Sequence, residues 1–382
     1  MRVMISCGEP SGDLYAGALA REIRALHPSA RITGFGGQHL RDAGAALLGD
    51  FSGLSVTGLL EVARVLPRTY AMYRRLVNDA AAVRPDVFVA IDFPDFNFRL
   101  ARAIRARGVP VVYYISPQLW AWRPGRMETM RRLADLVLVI FPFEEEIYRT
   151  AGVPVEWVGH PLLDVAPPSE PRDRFLRRHG LDPAKPVVAL LPGSRRNEVR
   201  AIFPGIAAAA RLIRATVPAT QFMLARAPHV SGDLLSAVAS TVREMTVLDG
   251  QADGVLASAD VAIVASGTVT VQAALHECPM VVVYRLSPLT YRLGRPFVRV
   301  NTFAMANLVA GRTVVQELIQ DAFTPEAVAQ EAIRILRDPT AAATIRADLR
   351  GVRSRLGEPG ASRRAAEAVV RVALHNRSVS LE

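Results

Sequence analysis

The sequence predicts two α/β domains, each built on a parallel sheet, joined by a short proline-rich break. Three observations carry this expectation. Short β-branched runs alternate with longer helical patterns along both halves of the chain. Two of those runs, Val87–Ile91 and Val111–Ile115, are apolar throughout rather than alternating, as strands covered on both faces are. At 382 residues the chain also exceeds one ordinary domain of roughly 150.

Taken in order, the candidate strands of the first half are Arg2–Ser6, Arg31–Phe35, Val87–Ile91, Val111–Ile115, Leu136–Ile140 and Val155–Val158. Helical stretches lie between them at Leu14–Leu26, Val65–Val83 and Phe98–Arg107. Pro161 to Pro171, with Pro167, Pro168 and Ser169, continues neither a helix nor a central strand and reads as a linker. The alternation restarts with Val187–Leu191, Gln221–Ala225, Thr246–Leu248, Val261–Ala265 and Met280–Tyr284, and from Pro325 the pattern is helical only. The expected divisions are residues 1–165, 166–350 and a helical tail at 351–382, which packs back on the first domain or on a partner subunit.

Composition narrows the class. Half the residues are apolar, 21% are charged and the mean hydropathy is +0.19, so a sizeable core can be buried and wholesale disorder is excluded. No apolar stretch approaches the ~18 residues of a spanning helix; the richest, Leu133 to Phe143, is broken by Asp135 and Pro142. The first residues reach Glu9 without a long apolar region, so the reading is a soluble, cytoplasmic chain. Cys7 and Cys278 give neither a disulfide framework nor metal-ligand spacing. The net charge is +10, and every basic residue except Lys185 is arginine. Such an excess is either a solvated basic surface or an attraction to anions, whether phosphorylated substrates, an anionic membrane face or nucleic acid. Nothing resembles a zinc finger or an aromatic-rich RNA-binding strand, and no nucleic-acid partner is expected.

Open parallel sheets bind ligands outside the carboxyl ends of their strands, so four loops there are the candidates. Gly8-Glu9-Pro10-Ser11-Gly12-Asp13 follows the first strand and opens a helix. It is either a close-approach turn for an anionic ligand or a capped turn with Ser11 or Asp13 as N-cap. Ile91-Asp92-Phe93-Pro94-Asp95-Phe96-Asn97 places two carboxylates at a strand end, where one can act as general base. Asp92 is nearer the strand and is the first choice, its alternative role being to satisfy loop amides, while Asp95 is also a candidate helix cap. Pro192-Gly193-Ser194-Arg195 either suits a diphosphate, through backbone amides, helix dipole and a fixed cation, or is a surface loop whose arginines belong to the general excess. Ser266-Gly267-Thr268 is either a second cradle or a plain N-cap. No GxxxxGK[ST] accompanies them, which argues against a P-loop enzyme. His160 reads as structural or site-lining. The segment Trp120 to Met127, with Trp122, Arg123 and Arg126, mixes aromatics and arginines as an interfacial patch touching lipid does, or as ordinary packing does.

Together these loops resemble the lipid-A-disaccharide synthase family. Besides the four loops, the matching segments are Pro85-Asp86-Val87-Phe88-Val89, Tyr114-Ile115-Ser116-Pro117-Gln118-Leu119-Trp120, Phe141-Pro142-Phe143-Glu144, Gly159-His160-Pro161-Leu162, Met280-Val281-Val282-Val283-Tyr284-Arg285 and Asn307-Leu308-Val309-Ala310-Gly311, in family order. The resemblance implies a glycosyltransferase-B fold: two Rossmann-like domains facing across a cleft, with C-terminal helices. It implies an inverting transfer from UDP-2,3-diacylglucosamine to 2,3-diacylglucosamine 1-phosphate, giving a β-1′,6 disaccharide and UDP at the cytoplasmic face of a bacterial inner membrane.

Carried onto this chain, the resemblance makes Asp92 the base and places Gly193, Ser194, Arg195, Ser266, Gly267, Thr268, Gln272, Tyr284, Arg285 and Asn307 on the nucleotide side. Gly8, Glu9, Ser11, Gly12, Asp13, Asp95, Asn97 and His160 fall on the acceptor side. Gln272 stands where glycosyltransferase-B enzymes often carry a ribose-binding glutamate, and it accepts at one side-chain oxygen only. No cofactor or metal is expected, since the second half lacks an Asp-x-Asp pair; partners are the two lipid substrates, the anionic membrane surface and a possible second copy of the chain. The rival readings are a UDP-sugar epimerase or lipid-linked N-acetylglucosamine transferase of the same fold, and a non-catalytic anion-binding protein.

Overall fold

The computed structural model describes residues 1–51, 59–122, 125–166, 170–228, 230, 232, 245–286, 291–292 and 302–379. It divides into two compact units, Met1–Val165 with Leu356–Glu382, and Ala166–Arg355.

The first unit is built on seven parallel strands: β1 (Arg2–Cys7), β2 (Arg31–Gly36), β3 (Ala46–Asp50), β4 (Val87–Ile91), β5 (Val111–Tyr114), β6 (Leu136–Val139) and β7 (Val155–Trp157). Their spatial order is β3-β2-β1-β4-β5-β6-β7. The second unit holds β8 (Val187–Leu191), β9 (Gln221–Arg226), β10 (Thr246–Asp249), β11 (Val261–Ala265), β12 (Met280–Tyr284) and β13 (Gln316–Ile319), ordered β10-β9-β8-β11-β12-β13 and again all parallel. Both are doubly wound sheets whose strand order reverses beside the first strand, between β1 and β4 and between β8 and β11. The glycosyltransferase-B class expected from the resemblance is therefore met by two Rossmann-like sheets.

The reason lies in the apolar runs. Every residue of β4, β8 and β11 is buried, so each strand needs helices on both faces. A Val or Ile buried this fully contributes roughly 1.5–3 kcal/mol relative to exposure. Helix starts are set largely by proline. Pro10, Pro94, Pro142 and Pro325 all occupy the first helical turn, where a missing N–H costs nothing.

β3 and β13 lie outside the expected strands. Both are edge strands, and Ala46–Asp50 carries Gly49 and two end residues facing solvent, too broken a pattern to signal a buried strand. The helix Pro339–Arg355 belongs to the second unit, whereas the last helix, Ala361–Val379, packs on Pro10–Leu26 of the first.

Polar contacts fix that return. The Asp164 carboxylate accepts from the amides of Gly360 (2.5 Å) and Ser362 (2.7 Å), and Arg364 donates to the carbonyls of Val158 (2.8 Å) and Glu358 (2.7 Å). Asp164→Ala is expected to destabilise the first unit by about 1–2 kcal/mol, the scale of a lost helix cap. Urea unfolding would show this as a lower midpoint; an unshifted midpoint would mean that apolar packing alone holds the helix.

Candidate functional site

In the first unit the loops after β1 and β4 leave the sheet side by side, at the reversal of strand order. Asp92 immediately follows β4. It and Phe93 both have left-handed backbones, with φ of 43° and 50°. Two consecutive non-glycine residues in that region cost of order 1–3 kcal/mol each and persist only where the surroundings over-determine them. Here they do. The Asp92 carbonyl accepts from the Asn97 amide nitrogen (2.8 Å) and from the Tyr113 hydroxyl (2.8 Å), while the Asp92 N–H donates to the Tyr114 carbonyl (3.3 Å).

Asn97 is fully buried and spans the gap between the two central strands. Its amide nitrogen also reaches the carbonyls of Ser6 and Ile91 (both 3.2 Å), and its oxygen accepts from the Ser6 hydroxyl (2.7 Å). Gly8 completes the turn: a Cβ there would lie 2.3 Å from the Phe93 ring, so only glycine lets the two loops meet.

Several assignments need correction. Neither Ser11 nor Asp13 caps the first helix; Pro10 takes its first turn and Glu9 becomes the N-cap, leaving Ser11 inside the helix and Gly12 where an added Cβ would lie 3.4 Å from Cys7 Cβ. Asp13 is buried and accepts from the amides of Gly37 (2.6 Å), His39 (2.8 Å) and Leu40 (3.2 Å), so it holds the start of the helix Gln38–Asp42 rather than facing a ligand. Asp95 is not a cap either, because Phe93 and Pro94 occupy the entry; it is exposed and paired with Arg126 at 2.6 Å.

His160 is buried between Phe141 and Tyr15. Its Nδ1 accepts the Leu162 amide (3.2 Å), and burial holds its pKa down to about 3. It is a neutral packing residue and not an acceptor-side polar group.

The lipid-contact reading of the Trp120 segment is corrected in part. The Trp120 ring packs edge-on against Phe143, and its Nε1 donates to Glu144 (3.3 Å). Arg126 lies over the Phe98 ring besides pairing with Asp95. The side chain of Trp122, and Arg123 altogether, lie outside the described residues.

In the second unit, the loops after β8 and β11 flank the equivalent reversal. Gly193 has φ of 112°, a left-handed value that favours glycine, and Gly267 has nothing within 4 Å of where a Cβ would sit. Arg195 is the N-cap of the 21-residue helix Arg196–Thr216, and its guanidinium pairs with Glu198 at 2.9 Å. Ser194 and Thr268 are exposed, Gln272 and Tyr284 are partly exposed, and the Ser266 hydroxyl donates to the Phe303 carbonyl (3.3 Å). Arg285 lies over the Phe323 ring, 4.7 Å from its centroid, and donates to the Phe323 carbonyl.

Asn307 needs a correction of role. It is buried, and its amide serves the carbonyl of Val315, the Glu317 carboxylate and the N–H groups of Val314 and Val315, all at 2.7–3.0 Å. Its side chain therefore builds the turn into β13 and has no capacity left for a nucleotide.

Sequence reasoning missed Tyr113 and Glu144. A tyrosine inside the aliphatic run Val111–Tyr114 was a signal, because a buried hydroxyl needs a partner. The Glu144 carboxyl is buried, accepts from Trp120 Nε1 and the Phe141 amide, and is pushed up to about 7 by burial, against the lowering effect of those donors.

The site loops are thus at the switch points of two all-parallel, doubly wound sheets, which defines the glycosyltransferase-B class. Solved structures agree at the level of fold. The UDP-GlcNAc 2-epimerase of Neisseria meningitidis, bound to UDP-GlcNAc, superposes with a TM-score of 0.68 at 12% identity, covering 97% of this chain and 100% of that one. The calicheamicin glycosyltransferase gives 0.60 at 18% identity, with coverages of 97% and 98%.

Sequence comparison is more specific. The lipid-A-disaccharide synthetase family matches residues 3–372. The lipid-A-disaccharide synthase of Koribacter versatilis is 43% identical over 98% of both chains, and that of Myxococcus xanthus 40% identical over 97% of both. The chain belongs to the lipid-A-disaccharide synthetase family and, with it, to the glycosyltransferases.

Two buried groups give opposite pH signatures. An unfolded chain protonates His160 near 6.5, while the folded one keeps it neutral to about 3, so stability from this group falls as pH drops below 6.5. The loss is ~1.4 kcal/mol per pH unit. The stability gap between parent and His160→Gln should therefore narrow with acidification in urea titrations; a constant gap would mean that the folded imidazole takes up a proton.

Glu144 runs the other way. Between about 4.5 and 7 the unfolded carboxyl ionises while the folded one holds its proton, so stability falls as pH rises through that window. Glu144→Gln cannot ionise and should gain on the parent between pH 4.5 and 7, then run parallel above about 8. A gap independent of pH would show that Glu144 is ionised in the fold.

Proposed function

We propose that the chain transfers 2,3-diacylglucosamine from UDP-2,3-diacylglucosamine to 2,3-diacylglucosamine 1-phosphate, releasing UDP and forming the β-1′,6-linked disaccharide 1-phosphate with inversion. The single observation that carries the chemistry is the strained turn that presents Asp92 at the carboxyl end of β4, braced on three sides by hydrogen bonds. A backbone held this firmly fixes the point from which the carboxylate is presented, and a carboxylate at that strand end can accept a proton from an acceptor hydroxyl, as a general base must.

Inversion needs one displacement at the anomeric carbon, with an oxocarbenium-like transition state and the base activating the attacking oxygen. Asp92 takes that proton. The first unit holds the acceptor lipid beside the Gly8–Gly12 and Asp92 turns. The second unit holds the donor, its diphosphate against the amides of Gly193–Arg195 and Ser266–Thr268, with Arg195 as cation and Gln272 and Tyr284 toward the nucleoside. Those donors stabilise charge growing on the departing UDP. No metal or cofactor is part of this reading. Arg195 shares its guanidinium with Glu198, so the diphosphate competes with, or joins, an existing pair.

Both substrates carry acyl chains, which places the reaction at a lipid surface. Among the described residues no helix is long and apolar enough to cross a membrane. Peripheral attachment to the anionic cytoplasmic face of the inner membrane rests on the +10 charge and on the substrates, not on Trp120.

The test mixes both diacylated sugars and looks for UDP together with a disaccharide phosphate. UDP-sugar conversion without acceptor would instead mark an epimerase. Asp92→Asn should keep UDP binding and cut turnover by ~10²-fold or more; near-normal turnover would remove Asp92 from the mechanism. Arg195→Ala should weaken UDP in calorimetric titration as well as slow transfer, and an unchanged UDP isotherm would reject its assignment.

A further inference from the structure

We infer that Tyr113 and Asn97 are positioning residues for Asp92, clamping its carbonyl so that the left-handed turn, and with it the direction of the carboxylate, is fixed before substrate arrives. The inference rests on the assignment of Asp92 as the base.

The geometry supports a role beyond folding. A strand end can close into a helix through ordinary backbone conformations, yet this one passes through two left-handed non-glycine residues. That path is held by side chains in addition to the backbone bond from the Asp92 N–H to the Tyr114 carbonyl. The donors to the Asp92 carbonyl come from two different elements: Tyr113 from the neighbouring strand β5, and Asn97 from the helix Pro94–Arg105 that the turn opens. A carbonyl with both lone pairs occupied by buried donors cannot rotate without breaking two hydrogen bonds.

Tyr113 is itself immobile. It is wholly buried, its ring packs against Phe98 at 5.6 Å between centroids, and burial followed by the charge of Asp92 keeps its hydroxyl protonated. It can therefore act on Asp92 only as a donor. Asn97 adds a second constraint, because the same amide that holds Asp92 also binds Ser6 at the end of β1. The base-bearing turn is thereby registered to the Gly8 loop, whose glycine leaves room for Phe93.

Tyr113→Phe removes one hydroxyl from a buried ring and leaves the packing intact, so it tests the clamp in a folded protein. It should lower kcat about tenfold or more, the scale of small misplacements at a reacting centre. KM for both lipid substrates and the UDP isotherm should stay within about twofold, since no binding group is touched. Asn97→Ala should act in the same direction and more strongly.

The decisive measurement is the cycle with Asp92→Asn. In that background Tyr113→Phe should have no further effect on kcat, because a clamp on a base that is already lost has nothing to hold. A full tenfold loss on top of Asp92→Asn, or a parent-like kcat for Tyr113→Phe, overturns the positioning role while leaving Asp92 as base untouched. Near-normal turnover of Asp92→Asn alone instead overturns the base assignment itself.

Discussion

The carboxamide of Asn97 bridges β1 and β4, the two strands from which the first sheet winds in opposite directions. At such a reversal the connections diverge and leave the strand ends without neighbours above them, so backbone carbonyls there need partners from side chains. Asn97 supplies them from inside the core, to Ser6, Ile91 and Asp92 together. With its oxygen engaged by the Ser6 hydroxyl, a single buried side chain ties strand, turn and helix into one unit. The strained turn at Asp92 and Phe93 is sustainable because that tie, and the Tyr113 hydroxyl, leave it no relaxed alternative of similar energy.

The second unit solves the same topological problem differently. Its switch-point turns are made by glycine at 193 and 267, residues for which positive φ carries little strain, and its clamps lie farther on. Asn307 and Glu317 gather the amides of Phe303, Ala304, Val314 and Val315 into one network ahead of β13. The contrast fits the chemistry assigned to each half. A diphosphate is held by backbone amides, which need close approach and hence small residues, whereas a base needs one carboxylate held at one angle.

Burial separates polar residues that build from those that are available to act. Asp13, His160 and Asn307 are almost wholly enclosed and hydrogen-bonded to backbone groups, while Asp92, Arg195, Ser266 and Gln272 keep part of their surface open. Residues of the first kind are as characteristic in sequence as those of the second, because a buried polar group with several partners tolerates few replacements. A motif can therefore be specific to a family while many of its letters serve the fold.

The sequence by itself determined the architecture: two parallel α/β units, most strand positions, and the strand–helix loops where ligands belong. These follow from local hydrophobic pattern and from proline and glycine, which act within a few residues. Family membership was legible for a related reason, since the ordered loop motifs run from residue 8 to residue 311. The tertiary structure alone decided what each polar side chain does. Edge strands β3 and β13, the amides gathered by Asp13 and Asn307, the enclosure of His160, and the clamp of Tyr113 on a residue 21 positions away all depend on partners distant in sequence. Hydrogen bonding and burial are properties of the packed chain, and no local pattern encodes which distant neighbour will supply them.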